Sequence, residues 1–465
     1  MKNSTAKRVL DAALATGADF AELYVQQRTS SVVELNYHRV DNVSTRLVSG
    51  AGVRLMRGLR QVYGYTSDLE ESSLVSLAEK LAASFDGERM LGVGKWEEVK
   101  NPDAHSPKKA HSSISTAEKI EYLKAAESAM YAVSPLIVNC DCAILSTDED
   151  VKIFTVTADG SRVVRDTRVR TRLSAQAIAA KNGAFEVGHF GPGLAMGAEL
   201  LDAVDFVKGA VKAAETAVAL LDAPECPSGN MPVIIGNKFG GVLFHEACGH
   251  PLEGTAISHN TSPFAGKLGQ KVASELVTAI DDGTFDHGWG SENFDDEGVP
   301  STRNVLIEKG VLKSYMVDTF EGRRMNMKPT GACRRESYKY VPTTRMTNTF
   351  IAGGDSTPEE IIAATKSGIY CVSFNGGSVD PTTDKFNFTS SETYLIKDGK
   401  IDKLVKAATL TGFGYEILPK IDMVGNDCEL SAGMCGASSG SIAAAVGQPT
   451  LRVSEMTVGG KGETL

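Results

Sequence analysis

Apolar residues recur at helical spacing over residues 5–16. Val9, Leu10, Ala13 and Leu14 fall on one face, Ser4 or Thr5 can cap the start, and Gly17 can end the run. The period then shortens. Residues 21–25 and 31–35 alternate as strands do, and residues 53–56 and 61–65 flank Arg57-Gly58 as the arms of a hairpin. Helical spacing returns over 71–85 and 116–132. Alternation predicts strands at 136–145, 151–157, 162–179 and 184–189, before an alanine-rich helix over about 203–221. Residues 91–114, with Gly92, Gly94, Pro102 and Pro107, read as a linker or long loop.

The sharpest break is Ala223-Pro224-Glu225-Cys226-Pro227-Ser228-Gly229-Asn230, with two prolines and a glycine in eight residues. Beyond it the chain is rich in strand pattern and glycine. At 465 residues it exceeds one compact core. The expected class is α+β: an N-terminal α/β domain over 1–223, with mixed sheet and helices and a possible subdivision near 91–114, and a strand-rich C-terminal domain over 224–465 that carries a short helix at about 239–248.

Composition narrows the function classes. Hydrophobic residues at 42% and charged residues at 23% fit an ordinary globular chain. The net charge of −10 and the absence of any Lys/Arg run longer than two argue against nucleic acid as a partner. No apolar run reaches the 18 or so residues that span a bilayer, and Asp11, Asp19 and Glu22 break what would be a secretory signal. Eight cysteines are too sparse for a disulfide scaffold. The expectation is a cytoplasmic protein with reduced thiols and no membrane association.

The densest chemistry is Phe244-His245-Glu246-Ala247-Cys248-Gly249-His250. Two imidazoles and an adjacent carboxylate are what a metal hydrolase needs as ligands and general base. The spacing is unusual. On a regular helix positions i and i+4 lie about 40° apart, but i and i+5 lie about 140° apart, so His245 and His250 cannot share an ion there. Two devices would serve. Gly249 can stop the helix while Pro251 turns His250 out of helical dihedrals, or a π-type turn can widen it. The third ligand is open between Cys248, three residues after His245, and Cys435 in the glycine-flanked stretch Gly433-Met434-Cys435-Gly436. From the residues alone the segment also reads as a helix end with two hydrogen-bonded histidines.

Other features have plainer readings. Cys140, Cys142, Cys226, Cys333 and Cys371 read as packing residues. Asp295-Asp296-Glu297-Gly298 reads as a solvated acidic loop, and Arg334-Arg335 and Arg345 as surface ion-pairing residues. His259 and His287 are expected to be solvated, and His38, His105, His111 and His189 are assigned no part.

The stretch from His245 to Gly254 resembles the H-E-A-x-G-H-x-L-E-G signature of the TldD/PmbA metallopeptidases. Further matches follow in order: residues 280–284, Asp295-Asp296-Glu297-Gly298, Gly331 to Tyr338, Arg345-Met346-Thr347-Asn348-Thr349, residues 391–396, Met423 to Asp427, Met434-Cys435-Gly436, and Val446 to Leu451. The resemblance spans essentially the whole chain and favours the catalytic TldD branch. It implies His245, His250 and Cys435 as ligands of Zn²⁺ and Glu246 as general base. It also implies flexible or unfolded peptides as substrates, and a homodimer or a heterodimer with a non-catalytic PmbA/TldE-like subunit. The alternative reading is a peptide-binding or chaperone-like subunit with a structural or vestigial metal.

Overall fold

The computed structural model describes residues 1–380 and 383–462. Four long strands dominate the first half: β1 (Phe20–Asn36), β2 (Arg39–Arg57), β4 (Ile137–Thr157) and β5 (Gly160–Lys181), with β3 (Arg60–Thr66) and β6 (Ala184–Phe190) completing the hairpins. They form one sheet in the order β3-β2-β1-β4-β5, continued by Trp96–Glu98 in parallel with β5, while β6 and Gly193–Leu194 also pair β5. Segments that read as separate strands, 21–25 with 31–35 and 136–145 with 151–157, are continuous. Polar residues between them pair in register without breaking the ladder.

One face of this sheet is covered twice. Helices α1 (Asn3–Ala13) and α2 (Glu71–Ala82) pack over one end, on Leu23, Val53, Leu55 and Phe154. Helices α3 (Thr116–Tyr131) and α4 (Phe206–Leu221) pack over the other, on Val33, Leu35, Ile144 and Leu173. Cys140 and Cys142 lie in that second core, as packing residues. A capping box of Ser115 and Glu118 starts α3, and Asp205 caps α4. The opposite face, from residues one position out of step, looks onto the second half of the chain.

Among the described residues that half contains two large sheets and a two-stranded pairing of Cys333–Arg334 with Thr343–Thr344. Strands β7 (Gly229–Ile235), β11 (Ser367–Asp380), β12 (Lys385–Lys397), β13 (Thr409–Phe413) and β16 (Leu451–Gly459) pair in a closed ring: β11 with β7, β7 with β16, β16 with β13, β13 with β12 and β12 with β11. The other sheet runs from Val311–Leu312 through β9 (Arg303–Glu308), β8 (Ala279–Asp282), β10 (Asn348–Ile351) and β15 (Gly440–Gln448) to β14 (Glu429–Ala437) at its edge. A large apolar core joins the two and takes in Phe244, Ala247 and Cys248. The chain is therefore α+β throughout.

The seam between the halves is charged and buried. Asp295, Asp296 and Glu297 are each no more than 5% exposed, and so are Arg334 and Arg335, which overturns their reading as surface groups. Arg54 bridges Glu22 at 2.8 Å and also contacts Glu297; Arg335 reaches Glu22 at 2.6 Å; Arg168 reaches Asp296 at 2.7 Å; Arg170 and Arg334 converge on Glu292 at 2.9 and 3.0 Å. Burial works against a charged Glu292, but Arg168, Arg334 and Arg170 prevail and hold its carboxyl at about 2. The acids belong mainly to one half and several of their arginines to the other, so a local window of sequence shows neither partner.

Candidate metal centre

After the buried strand β7 the chain makes a 3₁₀ turn, one helical turn at Val242–Phe244, a π-type turn at His245–Gly249 and a 3₁₀ turn at His250–Leu252. The His250 N–H donates to the His245 carbonyl, five residues back. Of the two devices open to the sequence, the fold uses the widened turn. His250 keeps helical dihedrals (φ −59°, ψ −44°) in spite of Pro251, and Gly249 stays right-handed (φ −58°) rather than ending the helix. Gly249 answers a packing demand instead: a Cβ there would lie 2.1 Å from Met346 Sδ. π-type turns cluster at functional sites, and this one stacks two residues of spacing five.

Cys435 arrives from β14. Its Sγ lies 3.3 Å from His245 Nε2 and 3.3 Å from His250 Nε2, and the three donor atoms fall within 4.8 Å of one another. Arg345, fully buried, holds the turn between β14 and β15: its guanidinium donates to the Cys435 carbonyl and, at 2.9 Å each, to Ser439 Oγ and the Gly440 carbonyl. It is an internal clamp, not a surface ion-pairing residue. The Trp289 indole donates to the Gly433 carbonyl at 2.8 Å and steadies the same strand.

The electrostatics favour a thiolate. Burial alone would raise the Cys435 pKa, but the two histidines overcome it and bring the thiol down to about 3. Burial also opposes charge on His250. Glu253, whose Oε1 sits 3.2 Å from His250 Nδ1, and the Cys435 thiolate reverse that and push His250 well above the usual histidine range. Two imidazole nitrogens and one thiolate, with a carboxylate behind an imidazole, are a donor set of the kind that holds Zn²⁺. His245 directs its Nε2 into the cluster, and its Nδ1 is buried with no hydrogen-bond partner among the described residues.

Glu246 stands beside these donors, its Oε2 3.9 Å from His250 Nε2. Burial pushes its carboxyl above the ordinary glutamate range, against the lowering pull of His245 and His250. Glu246, His250, Glu253 and Cys435 line one cleft of about 820 Å³, whose other walls include His259, Thr343, residues 377–379 and Met434 to Ser438. His259 is therefore a cleft residue, hydrogen-bonded through Nδ1 to the Thr255 carbonyl at 2.9 Å.

Cys248, the local candidate for third ligand, points away. It is fully buried in the apolar core, and burial with Asp384 nearby pushes its thiol far up. Two contributors went unread in the sequence. Glu253 was legible as a carboxylate three residues after His250, on the same side of a helical turn. Arg345 had no local signal, because its three acceptors lie about ninety residues away.

Comparison with known proteins gives the family. The chain matches three consecutive family models: PmbA/TldA metallopeptidase domain 1 over residues 21–85, the central domain over 109–221 and the C-terminal domain over 228–460. It is 37% identical to a metalloprotease TldD homolog of Haemophilus influenzae, over 99% of this chain and 97% of that one. It is 31% identical to a zinc metalloprotease TldD homolog of Saccharolobus solfataricus, over 50% of this chain and 52% of that one. Its fold superposes on TldE from Thermococcus kodakarensis with a TM-score of 0.75 at 18% identity, covering 95% and 97% of the two chains. With full-length identity, three ordered domain matches and a His-His-Cys cluster beside a glutamate, the chain belongs to the PmbA/TldD family and is a metallopeptidase.

Proposed function

We propose that the protein is a zinc peptidase that hydrolyses flexible or unfolded peptides, with His245, His250 and Cys435 as metal ligands and Glu246 as general base. The observation that carries this reading is the convergence of three donors on one point at the wall of a cleft, with a carboxylate on the adjacent residue. Zinc fits because imidazole and thiolate are the ligands it favours, and the S. solfataricus relative bears that metal in its name. Among the described residues the cluster has three donors, not four, which supports an open coordination position and hence catalysis over a structural role.

When bound, Zn²⁺ would acidify a water and polarise the scissile carbonyl. The protein's own residues do the rest. Glu246 accepts the proton that the attacking water gives up, then returns it to the amine as the C–N bond breaks. Glu253 orients the His250 imidazole through Nδ1, and Arg345 sets the backbone that presents Cys435. The substrate is best held as an added strand. Among the described residues β14 pairs only with β15 and leaves its other edge beside the cleft, so main-chain hydrogen bonds can bind a peptide with little regard to its side chains.

Only an extended segment can lie along such an edge, which favours unfolded substrates. The TldE likeness supports pairing with a TldE-like subunit, or with a second copy of this chain, around the cleft. Eight free cysteines and no helix, among the described residues, long and apolar enough to cross a membrane support a cytoplasmic setting. The test is cleavage of an unstructured peptide and of a folded protein by the zinc-loaded chain. Cleavage of the peptide alone is expected. Equal attack on both, or on neither, overturns the proposal.

A further inference from the structure

A second group of metal-type side chains lies at the seam between the halves. His105 belongs to the 91–114 segment, and Asp286-His287 follow β8. Their donor atoms come within 4.8 Å of one another. None of the three lines the cleft that holds Glu246 and Cys435.

His287 is held as a ligand histidine is usually held. Its Nδ1 lies 2.9 Å from the Ala195 carbonyl, whose own N–H donates to the His287 carbonyl at 3.0 Å. A carbonyl partner assigns the proton to Nδ1 and leaves Nε2 bare, 3.8 Å from Asp286 Oδ1. His105 supplies an independent sign. The residue is only 7% exposed, yet its Nδ1 is buried with no hydrogen-bond partner among the described residues. A buried nitrogen left without a partner is costly, and a bound cation would relieve that cost. The two rings meet edge to face, with centroids 6.0 Å apart.

We propose that His105, Asp286 and His287 form a second site for a borderline divalent cation, Zn²⁺, Ni²⁺ or Cu²⁺, that clips the 91–114 segment to the strand-rich half. Two imidazoles and a carboxylate suit this class of ion, with water completing the shell. Bond lengths near 2.0–2.2 Å require donors about 3.3–3.5 Å apart. The Asp286 side chain, 89% exposed, is free to swing inward to reach that spacing. Arg168 and Arg170 stand close to His105 but are committed to Asp296 and Glu292, so they leave little net charge to repel a cation. The ligand atoms come from both halves, so binding strengthens the seam without entering the reaction.

The test is equilibrium dialysis of the full chain against Zn²⁺, with metal counted per chain. Two ions are expected for the unmodified protein, one for Cys435→Ser and one for the pair His105→Gln/His287→Asn. Asparagine is chosen because His287 has φ 48°, a left-handed conformation that Asn tolerates. Asp286→Asn, at an exposed position, keeps the test sharp if the histidine pair fails to fold. It should weaken the second ion by at least about tenfold. Co²⁺ separates the two centres, since only a Cys435 site gives a sulfur-to-cobalt charge-transfer band. The ion retained by Cys435→Ser should show ligand-field bands without it. The proposal is overturned if the unmodified protein binds a single ion that Cys435→Ser abolishes. It is equally overturned if the second ion survives at unchanged affinity in Asp286→Asn and in the histidine pair.

Discussion

Replacing Gly249 with alanine tests how the π-type turn is held. The added Cβ would sit 2.1 Å from Met346 Sδ, more than an ångström inside ordinary contact, and 3.0 Å from Met346 Cε. Met346 cannot easily retreat. It is fully buried, and its carbonyl accepts from the Arg334 guanidinium at 2.8 Å. Overpacking of this kind costs about 1–3 kcal/mol. The strain falls between His245 and His250, so we expect it in the metal site. Expressed in binding, 1–3 kcal/mol is about 5- to 150-fold in Kd. The assay is competition for Zn²⁺ against a chromogenic chelator, run on Gly249→Ala, Met346→Ala and the double variant. Met346→Ala opens a cavity costing about 2–5 kcal/mol in urea unfolding, and the alanine methyl at 249 should recover part of it. The two changes should therefore couple favourably by about 1 kcal/mol or more. Wild-type Zn²⁺ affinity in Gly249→Ala, or additivity within about 0.5 kcal/mol, would refute the packing argument.

Glu246→Gln should keep its zinc and lose about 10²–10⁴-fold in kcat, the usual range for a positioned acid–base group; near-normal turnover would remove Glu246 as the base. Glu253→Gln, which takes the carboxylate from 3.2 Å behind His250 Nδ1, should cost about 10–100-fold in metal affinity by chelator competition. An unchanged Kd would show that Glu253 does not act on the metal site. Asp384 gives a pH signature. Burial lifts its carboxyl to about 7, and its Oδ1 is buried without a hydrogen-bond partner among the described residues. The folded state then binds a proton that the unfolded chain releases near pH 3.8. This group's contribution is complete below that pH and is lost as pH rises through 7. Asp384→Asn should therefore gain stability relative to wild type between pH 5 and pH 8 in urea unfolding. A difference independent of pH would contradict the shift.

The sequence made the local elements legible and left the long-range ones hidden. Helical spacing placed α1, α2, α3 and α4 to within a few residues, and the Arg57-Gly58 hairpin fell where expected. Strand lengths were underread, because Thr, Ser and charged residues inside β1 and β4 pair in register with polar neighbours that only the folded sheet supplies. The His245-Glu246-His250 segment stood out in the sequence by its residue types, and its awkward spacing pointed to a widened turn as one of two solutions. Choosing between them required Met346, about a hundred residues away. The choice of Cys435 over Cys248 came from a family resemblance, and its geometric basis is the edge position of β14. The misread segments, residues 295–298 and 334–335, have counter-charges remote in sequence: Arg54 and Arg168 for the acids and Glu22 for Arg335 come from the other half of the chain, and Glu292 for Arg334 lies 42 residues upstream.

Cobalt substitution tests the central claim most directly. The chain is stripped of metal, reloaded with one equivalent of Co²⁺, and its near-ultraviolet absorption is compared for the unmodified protein, Cys248→Ser and Cys435→Ser. With His245, His250 and Cys435 as the ligands, the sulfur-to-cobalt band is present in the unmodified protein, unchanged in Cys248→Ser and abolished in Cys435→Ser. A band that survives Cys435→Ser, or that disappears in Cys248→Ser, would contradict the assignment of the metal centre.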